Sequence, residues 1–271
     1  MNAFLRYAQL SKVYQLGRPL ETATPVSPSH PTFRMALLRR HGDVVRSDGS
    51  SGANELLTLG GHTGTHIDAL SHVSVNGKLH GGIDAYDASR GGKFQSLGVE
   101  TIHPIVCRGL MFDMPRMAGL DILSPAQPIT ARDLDQVCHQ LGVTVERGDA
   151  VFIRTGWPTG RYTDTAAYVG AETGVPGPDL SGARWLVERG VRVTGSDTIA
   201  FEQLNSGAGH TRLPVHSLLL YEAGVPIIEV LDLEELARDG IVEFLLVVSP
   251  LRLVGATASP VNPVAVVLKS S

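Results

Sequence analysis

SGARWLVERGVRVTGSD, residues 181–197, is the stretch on which the fold turns. ARWLVERG has apolar residues at helical spacing and stops at Gly190, and VRVTGSD follows as a strand. The same unit recurs on either side. Upstream, Thr130 with Asp133 three residues on caps a helix reaching Leu141, and DAVFIRT (149–155) reads as a buried strand. Downstream, a helix opened by about Pro214 runs to Ala223, ends at Gly224 and leads into VPIIEVL (225–231). DLEELARDG supplies a short fourth helix, and apolar runs near 242–248 and 260–268 complete the set. Helix-then-strand units at this pace predict an α/β domain with a largely buried sheet. The N-terminal half lacks the rhythm, so a mixed sheet is expected rather than a purely parallel one.

Further out, residues 17–34 are rich in Pro, Ser and Thr and read as an extended arm; residues 1–35 as a whole are taken as the arm of a single domain spanning 1–271. Lys78 to Gly92 carries four glycines and reads as a long loop beside the site described next. The formal net charge is -4, with no Lys/Arg run, which gives a nucleic-acid backbone nothing to bind. No segment approaches the roughly 20 apolar residues that span a bilayer. Cys107 and Cys138 stand far apart in no CxxC arrangement, so a reducing cytoplasm is the expected location. Charged residues make up 18% of the chain, a lean surface that suits an oligomer with buried faces. No GxGxxG or Walker loop sits at a strand-to-helix turn, which argues against a nucleotide cofactor.

Ten histidines occur, and three fall close together in HTGTHIDALSH: His62, His66 and His72, with Asp68 among them. Imidazoles with a carboxylate suit Zn²⁺, Mn²⁺ or Fe²⁺ rather than Ca²⁺ or Mg²⁺. Gly60, Gly61 and Gly64 with two threonines disfavour a helix here. In a strand, positions 62, 64, 66 and 68 share a face, and His66 and Asp68 stand roughly 7 Å apart at Cα. His62 and His66 would be roughly 13 Å apart in a straight strand, so the chain must bend, with Gly64 as the pivot, or two ions must divide the ligands with Asp68 bridging. Such a set is incomplete. His216, in PVHSLLLYEAG, and Glu229, a carboxylate closing the apolar run VPIIE, can complete it, because a buried carboxylate needs a partner or an ion. Trp157 and Arg154, in FIRTGW, stand where ligand contacts form at a sheet's carboxyl edge. Asp197 and the isolated histidines His80, His103, His139 and His210 read as structural or solvated residues.

HTGTHIDALSH resembles the H-x-G-T-H-x-D-x-x-x-H signature of the cyclase family of metal-dependent hydrolases, which includes bacterial kynurenine formamidase and isatin hydrolase. The likeness continues through FIRTGW, VTGSDTIAFE, HSLLLYEAGVPIIEVLDLEEL and PLRLVGATASPVNPVAVV. It implies a single compact β/β/α domain of the swivelling type, its mixed sheet flanked by helices, assembled as a homodimer or homotetramer. It also implies one or two Zn²⁺ or Mn²⁺ ions per chain. By position, His62, His66 and Asp68 match the first ion's ligands, Asp68 touches a second ion where two bind, and His216 and Glu229 match the C-terminal ligands. His72 matches the proton donor and acceptor. Two features depart: Leu70 stands where the formamidases often have Pro, and the step from His216 to Glu229 is one residue longer.

The chemistry expected is metal-assisted hydrolysis of an amide C–N bond, N-formyl or in a cyclic amide or imide, of a small aromatic molecule. A lactonase or esterase of the same design is the nearest rival. A catalytically silent ligand-binding protein is another, although its mark, a damaged ligand set, is absent. A polyketide-type ring-closing enzyme is suggested by the family name alone.

Overall fold

Side chains alternate along the central strands, and the sheet thereby separates two apolar layers. The computed structural model describes residues 11–268. Its strands are β1 (Ser11–Gln15), β2 (Arg34–Arg39), β3 (Asn54–Thr58), β4 (His66–Asp68), β5 (Ile105–Asp113), β6 (Pro128–Ile129), β7 (Ala150–Arg154), β8 (Gly177–Pro178), β9 (Val193–Ser196), β10 (Ile227–Glu229), β11 (Glu243–Val248), β12 (Ala258–Pro260) and β13 (Val264–Leu268). Its α-helices are α1 (Ala85–Ala88), α2 (Met114–Met117), α3 (Ala131–Leu141), α4 (Thr165–Val169), α5 (Leu180–Glu188), α6 (Pro214–His216) and α7 (Glu234–Arg238).

Among the described residues nine strands form one sheet, in the order β1-β13-β11-β5-β7-β9-β10-β4-β12. The four strands β5, β7, β9 and β10 run parallel to one another, and the pairings outside that group are antiparallel. The expected mixed α/β sheet flanked by helices is what forms. Leu110, Phe112, Val151 and Ile153 face one layer, closed by Leu134 and Val137 of α3 and Ala183, Trp185 and Leu186 of α5. Met111, Ala150 and Phe152 face the other, with Tyr14, Phe244, Leu246, Leu233 and Leu236. Each such fully buried side chain contributes roughly 1.5–3 kcal/mol relative to exposure.

Local signals set the helix ends. Thr130 and Asp133 form the expected capping box, and Gly142 closes α3 at φ 65°. The expected helix opening at Ser181 lies earlier: the Asp179 side chain accepts the Gly182 N–H, and Ser181 Oγ donates to Asp179 at 2.6 Å. Within the glycine-rich 78–92 stretch, Asp84 caps the short α1. The helix expected over 214–223 begins as α6 and continues as a π-helix, Ser217–Ala223, up to Gly224 at φ 70°. A π-turn holds one more residue than an α-turn.

Of the stretch expected as an N-terminal arm, residues 1–10 lie outside the described residues. Ser11–Gln15 is a sheet strand paired with β13, and Arg34 already belongs to β2. The chain between them is turns and extended segments that bring Ser27 and His30 to the site. β2 and β3 form a separate hairpin with Met35, Leu37, Leu38, Leu56 and Leu57 exposed.

Candidate metal centre

β4 lies antiparallel beside β10, with Glu229 opposite His66 and Asp68 opposite Ile227. Side chains alternate, so Ile67 and Ile228 enter the apolar layer while His66, Asp68 and Glu229 share the other face. The strand predicted through residue 62 is shorter. Regular pairing covers Asp68 back to His66, and the chain turns before it, with Gly64 at φ 62° against Leu20. That bend folds His62 back over the strand, its Nδ1 2.8 Å from Asp68 Oδ1 and its ring centroid 5.1 Å from that of His66. His72, in the turn after β4, lies against His62 at 4.1 Å between centroids. His216, at the end of α6, brings Nε2 within 3.1 Å of Glu229 Oε1 and 3.8 Å of Asp68 Oδ2.

All six residues expected at the centre therefore converge. Two triplets have ligand atoms in mutual reach, His62–Asp68–His72 and His66–Asp68–Glu229, and Asp68 belongs to both. His66 Nε2 stands 3.5 Å from Asp68 Oδ1 and 3.4 Å from Glu229 Oε2. Tetrahedral ligands at bond lengths near 2.1 Å are spaced by roughly 3.4 Å, so these atoms sit as ligands of one ion would. Among the described residues, His66 Nε2 and both Asp68 oxygens are buried without a hydrogen bond, the 2.8 Å approach of His62 to Asp68 Oδ1 being off-axis. Unsatisfied polar atoms facing one another in a dry site are costly unless something polar joins them. The donor set of imidazoles and carboxylates fits a divalent transition ion.

Charge points the same way. Among the described residues, Asp68 and Glu229 are paired with histidines and with no Lys or Arg. Burial works to lower His66, but Glu229 and Asp68 outweigh it and push it up to about 9. His216 is likewise raised, Glu202 and Glu229 overcoming burial. Asp68 is held well below the usual carboxylate range by His72 and His62, against burial. Without an ion the imidazolium charges neutralise the carboxylates, and a cation would take that place. Burial lowers His72 to about 4, leaving it neutral near pH 7.

Each imidazole is aimed by its other nitrogen. His66 Nδ1 donates to Gly64 O at 2.8 Å, and His62 Nε2 meets Thr257 Oγ1 at 3.0 Å. His216 Nδ1 donates to Glu202 Oε1 at 2.7 Å, and Glu202 also accepts the N–H groups of Val215 and His216. Glu202 went unrecognised in the sequence, although IAFE carries the same signal as VPIIE, an acid closing an apolar run. His30, stacked on His62 at 4.6 Å, and His210, with Nδ1 2.8 Å from Ser27 Oγ, also line the cavity. His210 was expected to be solvated, but it is largely enclosed and its Nε2 has no partner. Two non-glycine residues adopt positive φ beside the acids, Phe201 at 54° before Glu202 and Val230 at 58° after Glu229. Such strain costs of order 1–3 kcal/mol and persists where the surroundings enforce it.

Two expected contacts are not brought here. Arg154 is buried and saturated, donating to Glu234 at 3.0 and 2.8 Å and to Asp113 at 2.8 Å, so its guanidinium braces β5, β7 and α7. Trp157 is buried, its Nε1 donating to Tyr168 O at 2.8 Å, and it lines a neighbouring cavity instead of the histidine cluster. Asp197 is structural as expected, accepting from Thr155 N, Thr155 Oγ1 and Gly156 N.

Known proteins share this arrangement of chain. The curated isatin hydrolase of Roseibium aggregatum is 28% identical over 229 residues, 83% of this chain and 78% of that protein. A crystal structure described as a novel cyclase superposes with a TM-score of 0.83 at 28% identity, covering 96% of this chain and 91% of that one. Isatin hydrolase A from Ralstonia solanacearum shares the fold at 23% identity, with a TM-score of 0.74 over 98% of this chain and 95% of that one. The Cyclase family model ("Putative cyclase") matches residues 14–203, well over half the sequence, and the chain belongs to that family.

Proposed function

We propose that this chain is a metal-dependent hydrolase that cleaves an amide C–N bond, N-formyl or cyclic, in a small aromatic substrate. The observation that carries the reading is the buried, unsatisfied set of His66 Nε2 and the Asp68 oxygens, ringed by His62, His216 and Glu229. These five residues would hold one or two Zn²⁺ or Mn²⁺ ions. An ion bound there supplies a Lewis acid that polarises a carbonyl and acidifies water. The similarity to an isatin hydrolase, whose name states a hydrolytic activity, supports the reaction class.

The chain's own groups do the rest. Glu202, Gly64 and Thr257 fix which nitrogen of His216, His66 and His62 faces the centre. His72 lines the cavity against His62 with no hydrogen-bond partner among the described residues, and it takes a proton from water as oxygen bonds to the carbonyl carbon. It returns that proton to nitrogen as the C–N bond breaks, leaving a carboxylic acid and an amine.

The test is metal per chain by elemental analysis, with turnover of N-formylkynurenine, isatin and cyclic imides before and after chelation. Activity lost on chelation and restored by Zn²⁺ or Mn²⁺ supports the proposal, and chelator-insensitive activity would sink it. Preference for lactones over amides would move the assignment to an esterase of the same design. The reading extends to a homo-oligomer, favoured by the exposed aliphatic residues of the β2–β3 hairpin. Among the described residues no helix is long and apolar enough to cross a membrane.

A further inference from the structure

His210 walls the same cavity as His66, His72, His216 and Glu229, a space of about 190 Å³, and the chemistry proposed above gives it no part. Its Nε2 is buried with no hydrogen-bond partner among the described residues, yet it belongs to neither triplet of prospective metal ligands. Its other ring nitrogen, Nδ1, lies 2.8 Å from Ser27 Oγ. Ser27 is only 7% exposed, and its hydroxyl has no other partner among the described residues.

The hydrogens of this pair can be placed in two ways. Burial lowers the pKa of His210, so the ring carries a single N–H. With that hydrogen on Nδ1, the ring donates to Ser27, and two groups are stranded: the Ser27 O–H and the Nε2 lone pair. With the Ser27 O–H donating to Nδ1 instead, only the Nε2–H is left over. Each buried polar atom without a partner is costly, so the second placement wins. It puts a neutral N–H donor in the wall of the cavity that a substrate carbonyl must enter.

We propose that Ser27 sets His210 as an Nε2–H donor, and that His210 hydrogen-bonds the scissile carbonyl oxygen as negative charge builds there. The second half rests on the hydrolase reading; the tautomer does not. As the water oxygen bonds to the carbonyl carbon, the C=O π pair moves onto oxygen. His210 donates a hydrogen bond to that oxygen and keeps its proton, while His72 carries out the proton transfers. A fixed donor aimed at developing charge raises turnover about 10²–10³-fold.

Long-range proton–nitrogen NMR of the histidine-labelled chain reads the tautomer, with His210→Gln assigning the signal. The Nε2–H form is expected in the wild type, with the bias lost in Ser27→Ala; an Nδ1–H form in the wild type overturns the inference. Turnover is compared on whichever of N-formylkynurenine, isatin and the cyclic imides the wild type hydrolyses fastest. His210→Ala should lower kcat about 10²-fold with KM little changed. His210→Gln, which offers an N–H of similar reach, should recover about tenfold of that loss. Unchanged kcat in His210→Ala, or a Gln variant no better than the Ala variant, overturns the role. Loss of bound metal in a folded His210→Ala chain overturns it too, by making the residue a ligand. A wild type that hydrolyses no amide or lactone discards the hydrolase reading and this role together, whereas turnover indifferent to both variants discards the role alone.

Discussion

Glu202 holds His216 through a 2.7 Å bond and is itself tied to two backbone N–H groups, so it orients that imidazole from behind. Glu202→Gln keeps the shape and removes the charge; metal affinity should fall by about 10–100-fold, measured by titration against a competing chelator. His72→Ala should retain metal while turnover falls about 10²-fold or more, and unchanged turnover would remove His72 from the chemistry. Asp197 bears on stability instead. Burial pushes it up to about 6 against its Thr155 and Gly156 donors. The fold therefore binds that proton more tightly than the unfolded chain does. Its contribution is full below about pH 4 and is lost as pH rises through about 6. The stability difference between wild type and Asp197→Asn, from urea titrations, should shift by about 2 kcal/mol against the wild type between pH 4 and pH 7. At this scale the convergence of His62, His66 and Asp68 was legible because imidazole and carboxylate types cluster in one segment. Glu202 and His30 were not, since neither lies near that cluster in the chain. Arg154 was misread because the two acids that saturate it, Asp113 and Glu234, are distant in sequence.

Elements place those groups through bends more than through regular structure. Gly64 at φ 62° is packed against Leu20, whereas Gly142 at φ 65° faces open space. Both Ala substitutions incur the left-handed backbone cost of roughly 1–2 kcal/mol. Gly64→Ala also forces Leu20 or the bend to move. Thermal unfolding should show Gly64→Ala as the more damaging, and only that variant should lose metal. The bend was legible from spacing, because a straight strand cannot bring His62 near His66. The π-helical form of Ser217–Ala223 was not legible, since its apolar pattern suits either winding and the packing of the sheet beneath selects one.

Across the whole molecule, helix–strand rhythm foretold a largely buried α/β sheet, and its lack in the N-terminal half foretold a mixed one. The insertion of β4 beside β10 was beyond it, because that pairing joins segments far apart in sequence by backbone bonds that any residues can make. Quaternary structure is open to a direct check. Replacing Met35, Leu37 and Leu57 on the hairpin with Ser should reduce the mass seen by light scattering to that of one chain, with the monomer still folded.

The seam between β4 and β10 also makes the centre a rivet. Its prospective ligands come from residues 62–68 and 216–229, so an ion gripped there would pin together the ends of a very long loop. At a free-ion concentration 100 times its dissociation constant, such a rivet adds about 2.7 kcal/mol to the folded state. Stripping the ion should accordingly soften the entire fold, and melting temperature against ion concentration would trace the grip with no substrate in hand.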